Sequence, residues 1–241
     1  LYPQRVVDRI NGLMKPMLLA DFIVFQTKFT KHCAEQFVGP VTKPHEVIIN
    51  PVDTKKFKPT DSTLTAEPFT IIMAGNHFES EERMKVSIEA VKKVREKTPL
   101  KLIIIGKCEF DINEDWIEKA GAFTQEKAPT LYQKAHMLLH LKYLDPCPTV
   151  VLEALATGLP VVGQGNGGMP ELVDPQSGIL LPVAEEFTKL HYPQVDEVAE
   201  AILKIKAELP RYSNSARTQA LKFDKEIWLN RHEAIFNKLL Q

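Results

Sequence analysis

Three consecutive segments decide the fold: Phe69-Thr70-Ile71-Ile72-Met73-Ala74, then Glu81 to Lys97, then Leu102-Ile103-Ile104-Ile105. The first and third are short apolar runs rich in β-branched residues, the pattern of strands buried on both faces. Between them Met84, Ile88, Val91 and Val94 recur at spacings of three and four with lysines and glutamates on the other side, which is the apolar stripe of a helix lying on a sheet. Strand, amphipathic helix, strand is a βαβ unit, and it predicts a parallel pair.

The same rhythm extends outward. Phe22–Gln26, Glu46–Ile49, Met137–Leu141, Pro160–Gly163 and Ile179–Leu181 read as further strands; Leu131–Ala135, Val150–Ala156 and Val195–Ala207 read as helices. Ala216–Leu240 reads as a helical tail carrying Phe223, Trp228 and Phe236. The expected class is α/β, a Rossmann-like three-layer α/β/α domain with a mostly parallel sheet and its site at the carboxyl ends of the strands. Pro51, Pro59, several lysines and a Thr/Ser-rich stretch interrupt the pattern near Asn50–Asp61, so two parts are expected, 1–50 and 51–241, with the 211–241 tail packing back toward the first. The first part is too short to close a core of its own, and the chain opens Leu1-Tyr2-Pro3 without methionine, so the remaining neighbours of that part are expected upstream.

Composition narrows the function classes. The 241 residues are 44% hydrophobic and 25% charged, ordinary for a globular chain. Thirty basic against 31 acidic residues leave a net charge of -1, which gives no global field for nucleic acid or an anionic membrane, so any anion site must be local. Cys33, Cys108 and Cys147 are odd in number and widely spaced, which suits a reducing cytoplasm better than a disulfide framework or a zinc site. No apolar run is long enough to span a bilayer and no signal peptide is recognisable.

Local chemistry concentrates in one window. Gly158, Gly163, Gly165, Gly167, Gly168 and Gly178 are six of only 11 glycines. Val161-Val162-Gly163-Gln164-Gly165-Asn166-Gly167-Gly168-Met169-Pro170-Glu171 reads as a buried strand, a glycine-rich loop and a short helix with proline near its start. That suits either a ligand approached by backbone N–H groups or a tight β-to-α turn without one. Just upstream, Asp145-Pro146-Cys147-Pro148-Thr149 leads into the helix Val150–Ala156, closed by Gly158; its start is a second anion site. Glu153 sits among apolar neighbours on that helix and faces either a sugar hydroxyl or a capping partner from the protein. Cys147 stands where a helix start can lower a thiol pKa, yet no histidine adjoins it, and packing is the better account. His77 closes a strand as a phosphate donor or a loop residue, while His136 and His140 share a strand face without metal-ligand spacing, so no metal is inferred.

In this order the motifs resemble the family 4 glycosyltransferases of GT-B fold. Asp145 and Glu153 match an acid-x7-Glu signature, Gly167-Gly168-Met169-Pro170-Glu171 the following GG-x-P-E loop, and Asn50-Pro51-Val52-Asp53 through Phe57 and Pro59 the family's interdomain segment. Leu102–Gly106, Tyr132–Ala135 and Ala216–Trp228 fit as well, and Arg5–Gly12 resembles the interior of the preceding, acceptor-side domain. The resemblance covers nearly the whole chain and implies that it is the C-terminal, donor-binding half of such an enzyme.

That resemblance implies a retaining transfer of sugar from a UDP- or GDP-linked donor to the hydroxyl of a carbohydrate, lipid-linked or other glycan acceptor. It implies no metal, no cofactor and no nucleic-acid partner, and a place in the cytoplasm, at most peripheral at the inner membrane face. Glu153 would take the ribose hydroxyls and Asp145 the hydroxyls of the transferred sugar, since a carboxylate accepts from vicinal hydroxyls. Cys147, Pro148, Thr149 and Val150, at the helix start, would face the diphosphate or sugar. Asn166, Gly167 and Gly168 would approach donor or acceptor, and Gly106 with Lys107 and Phe123 with Thr124 would lie by the base.

Three departures stand out. Asp145 is one methylene shorter than the family's glutamate, and Pro146-Cys147-Pro148 replace its glycine and phenylalanine. Gly75-Asn76-His77 lacks the arginine that follows the first strand's glycine, leaving Arg83 or Lys85 either to neutralise the diphosphate or to sit as solvated charges on a first helical turn. Asn50-Pro51 replaces an Asn-Gly pair. The rival reading is therefore a non-catalytic or incomplete nucleotide-sugar-binding module that needs a partner chain or domain; an epimerase or a phosphorylase on the same fold is weaker, with no pyridoxal lysine to be placed.

Overall fold

The computed structural model describes residues 19–60 and 67–241, with Gly12, Pro16 and Met17 ahead of them; the Arg5–Asn11 stretch lies outside the described residues. The front part contributes β1 (Ile23–Phe25), α1 (Lys28–Phe37) and β2 (His45–Val47). The rest runs β3 (Phe69–Phe78), α2 (Glu81–Arg95), β4 (Leu100–Cys108), β5 (Ile117–Gly121), α3 (Ala128–Tyr132), β6 (Met137–His140), α4 (Thr149–Ala156), β7 (Val161–Gln164), α5 (Met169–Leu172), β8 (Gly178–Leu181), α6 (Val195–Ala207), α7 (Leu209–Leu221) and α8 (Lys225–Leu239).

Strand alternation builds two apolar layers. Ile71 and Met73 of β3 and Leu102 and Ile104 of β4 pack with α2 and α6 on one face. Their neighbours Ile72, Ala74, Ile103 and Ile105 pack with α3, α4 and α7 on the other. The six strands are all parallel in the order β5-β4-β3-β6-β7-β8. Chain direction across the sheet reverses between β3 and β6, and the crevice outside their carboxyl ends is where a doubly wound sheet receives ligands.

The predicted strands are all present, and several boundaries differ. β3 continues through Gly75 to Phe78, with a register shift against β4 between Ala74 and His77 that lets it pass the glycine. β5 is an additional edge strand, with one large apolar residue, Ile117, among Glu118, Lys119, Ala120 and Gly121. The helix expected over Leu131–Ala135 starts earlier, at Ala128, with proline in its first turn. The tail is two helices: the first ends at Leu221, and Asp224 caps the second, its carboxylate accepting from Glu226 N–H at 2.8 Å. Among the described residues no helix is long and apolar enough to cross a membrane.

The front part pairs β1 with β2 in a separate parallel sheet. It is tied to the loops above the large sheet: Thr27 Oγ1 donates to Pro146 O at 2.9 Å, Asn50 Nδ2 to Cys147 O at 3.3 Å, and the Glu171 carboxylate accepts from Lys28 and Phe29 N–H at 2.8 and 3.0 Å. From the tail, Arg231 pairs with Glu46 and donates to Val47 O.

Candidate functional site

Two glycines let the loops at the carboxyl ends close on one another. A Cβ on Gly106, at φ +125, would stand 1.8 Å from Gly75 O, and one on Gly168 would stand 1.9 Å from Pro146 O. Only glycine allows either approach. Gly168 N–H donates to Asp145 O at 2.9 Å, so the glycine-rich loop is pinned to the loop that carries the first acid.

Asp145 is 6% exposed. Its Oδ2 lies 3.1 Å from His140 Nε2, at the end of β6, and 3.2 Å from Lys142 Nζ. Burial raises its carboxyl pKa, but the His140 and Lys142 contacts outweigh that and hold it below the ordinary range. Glu153, eight residues on along the chain, behaves differently. Burial pushes its pKa up, opposed by the Tyr132 hydroxyl, which donates at 2.9 Å, and by the positive charge of Lys56. One carboxylate is thus held ionised by the Lys142 ammonium and the His140 contact, while the other is desolvated with a single neutral donor.

Arg83 and Lys85, adjacent alternatives in sequence, separate in space. Lys85 is exposed, whereas Arg83 turns inward, 5% exposed, with its guanidinium 4.9 Å from the Phe78 ring centroid. Burial lowers its pKa to about 10, with Asp145 opposing, so it remains charged at neutral pH. Its Nε and Nη2 are buried with no hydrogen-bond partner among the described residues. His140 Nδ1, Gln164 Oε1 and Asn166 Nδ2 share that condition. These four side chains come from the start of α2, the end of β6, the end of β7 and the loop after it, all at the carboxyl end of the sheet. An unpaired buried charge among unpaired dipoles is costly, so these atoms are where a ligand or ordered water would find partners.

The helix start beside them is open: α4 has Pro148 at its N-cap, no side-chain cap and no acid in its first turn. Pro148 is buried, Thr149 exposed and Val150 half-buried. Cys147 is buried, its thiol pushed up to about 11 by desolvation, which makes it a packing residue rather than a nucleophile.

Gly75 is half-buried, while Asn76 and His77 are exposed, and His77 Nδ1 lies 2.9 Å from Glu79 and its Nε2 4.0 Å from Glu109. Lys107 pairs with Glu109 at 2.8 Å, Phe123 packs under the α3 side of the sheet, and Thr124 O receives the first N–H groups of α3. Gly167 N–H donates to Glu185 at 3.1 Å, so a carboxylate from the segment after β8 already occupies one loop amide. That segment crosses the site: Tyr192 bonds Ser80 at 2.8 Å, His191 O accepts from Gln164, and Tyr143 Oη meets Ala184 O, Glu186 O and Glu186 N–H. The two histidines expected to share a strand face have different partners, His136 Nδ1 accepting from Thr70 N–H at 2.9 Å and His140 meeting Asp145. Glu185 and Tyr192 were not singled out in the sequence; Tyr132 stood there only as the start of the Tyr132–Ala135 match, His140 only beside His136, and Gln164 only within the glycine-rich stretch.

The pattern that defines the glycosyl transferases group 1 family matches residues 68–207, more than half of the chain, and the chain belongs to that family. WcaL of Escherichia coli (strain K12), a colanic acid biosynthesis glycosyltransferase by description, is 24% identical over 182 residues, 66% of this chain and 45% of WcaL. The sucrose-phosphate synthase of Thermosynechococcus elongatus superposes with a TM-score of 0.75 at 17% identity, covering 97% of this chain and 62% of that one. Anabaena HepE in complex with UDP-glucose gives 0.73 at 18% identity, covering 91% of this chain and 64% of HepE. The chain spans less than two thirds of the length of each of these proteins.

Proposed function

We propose that this chain is the donor-binding half of a retaining, metal-independent glycosyltransferase that moves a sugar from a UDP- or GDP-linked donor to an acceptor hydroxyl. The observation that carries the reading is Arg83, a buried guanidinium with two unpartnered nitrogens beside the switch point of the sheet. It stands in for the arginine absent at Asn76. With the uncapped start of α4 it meets the diphosphate, whose departure needs that positive charge in the transition state. Glu153 accepts from the ribose hydroxyls and Asp145 from those of the sugar. Backbone at Gly106–Lys107 and Phe123–Thr124 flanks the base. Asn166–Gly168 faces the donor or the acceptor, and the acceptor is held by the front part together with an acceptor-side domain. The UDP-glucose complex of HepE supports the donor class.

Calorimetric titration with UDP-glucose tests this. Binding is expected between micromolar and millimolar. Glu153→Gln, which keeps volume but loses the charge, should cost about 1.5 to 3 kcal/mol of affinity, the scale of a hydrogen bond to a charged group. Its melting temperature at neutral pH should not fall. Unchanged affinity together with a lowered melting temperature would make Glu153 a structural carboxylate. Incubation with radiolabelled donor then separates turnover from binding alone.

A further inference from the structure

The acid that faces the sugar in this reading is an aspartate, short and on a loop, and nothing in its own backbone holds the carboxylate in one rotamer. What holds it is β6. His140 is 2% exposed and closes that strand with Nε2 3.1 Å from Asp145 Oδ2. Lys142 Nζ approaches the same oxygen at 3.2 Å, and among the described residues Oδ1 has no hydrogen-bond partner.

The ring's protonation follows from its surroundings. The charged groups acting on it are Asp145, Arg83 and Lys142. Burial first, then the two cations, disfavour the imidazolium, so the ring is neutral with one proton. A lone pair set against an ionised carboxylate would be repulsive, which puts the proton on Nε2 and leaves Nδ1 as a bare acceptor. Nδ1 is the ring atom that is buried without a partner.

We infer that His140 is a positioning residue: through its Nε2 proton it clamps Oδ2 of Asp145, so that Oδ1 is presented to a hydroxyl of the donor sugar. The inference rests on the reading of Asp145 as the sugar-contacting acid. It explains how an aspartate serves where the resembling family has glutamate, because a clamped short carboxylate loses less freedom on binding than a loose one.

The test compares two ligands, UDP-glucose and UDP, in the full chain. His140→Leu removes the donor at similar volume, and His140→Gln retains an N–H donor. For the wild type, UDP-glucose should bind more tightly than UDP. His140→Leu should lower affinity for UDP-glucose by about tenfold and leave UDP unchanged, while His140→Gln should keep most of the difference. Nitrogen NMR of the wild-type ring should show the neutral Nε2–H tautomer, altered in Asp145→Asn.

Loss of both ligands alike in His140→Leu, or of neither, overturns the positioning role while the donor reading stands. Equal affinities of the wild type for UDP-glucose and UDP remove Asp145 from the sugar and the inference with it. A wild type that binds neither ligand overturns the donor reading, and the ring spectrum then judges the clamp alone: an Nδ1–H tautomer or an imidazolium contradicts it. Should His140→Leu not fold, His140→Gln and the spectrum still decide.

Discussion

The two ends of the parallel sheet treat their buried and half-buried polar groups in opposite ways. At the amino end they are satisfied. His136 accepts from Thr70 N–H, Ser213 Oγ donates to Gly158 O at 2.7 Å, and Arg217 spreads its guanidinium over the carbonyls of Ala156, Phe57 and Thr54 at 2.6, 2.9 and 3.0 Å. At the carboxyl end Arg83, His140, Gln164 and Asn166 keep atoms unpaired. His136, just before β6, and His140, at its end, thus serve different ends, as do the half-buried Arg217 and the buried Arg83. The amino end closes the fold, and the carboxyl end leaves polar atoms unpaired, reserved for the donor in the proposed function.

The contrast breaks or sharpens on substitution. Arg217→Ala strips three carbonyls of a charged donor and should lower unfolding free energy by about 3 kcal/mol in urea titrations, with nucleotide affinity of the folded protein intact. A drop in affinity without a drop in stability would erase the distinction between the ends. A smaller effect concerns pH. Because Glu153's pKa is raised in the fold, its contribution to stability is fully present below the unfolded value of 4.5 and is lost as pH rises through the folded value. Glu153→Gln removes that loss, so its advantage over wild type should emerge as pH rises across this window and persist at neutral pH. A variant less stable than wild type throughout contradicts the desolvated carboxylate.

The alternating strands were legible because burial on both faces needs continuous apolar runs, as in Ile71–Ala74 and Leu102–Ile105. β5 was not, since an edge strand of Ile-Glu-Lys-Ala-Gly needs no such run. The break in the tail did have a signal, Asp224 ahead of Lys225 and Glu226, but Phe223 and Trp228 continue the apolar pattern across it. At the site, spacing in the chain brought out Asp145, Glu153 and the glycine-rich loop. It left Arg83 and Lys85 equivalent, because which of two neighbouring cations turns inward depends on Phe78, which closes β3 five residues earlier, and on Asp145, 62 positions further on. His140, Tyr132 and Glu185 act through partners that only the folded chain brings near. The tie between Glu171 and the start of α1 joins positions 143 apart, beyond any local pattern.

Arg83 is where the account is most exposed. A guanidinium held buried for stability and one held for a diphosphate look alike until the ligand is added. Arg83→Met keeps the contact with Phe78 and removes the unpaired charge. The direct measurement is a UDP titration of this variant beside its thermal unfolding. The account predicts affinity lowered by about tenfold or more, with a melting temperature equal to or above that of wild type, since removing an uncompensated buried charge relieves the fold. Unchanged UDP affinity with a lowered melting temperature would contradict it, and would make Arg83 part of the scaffold.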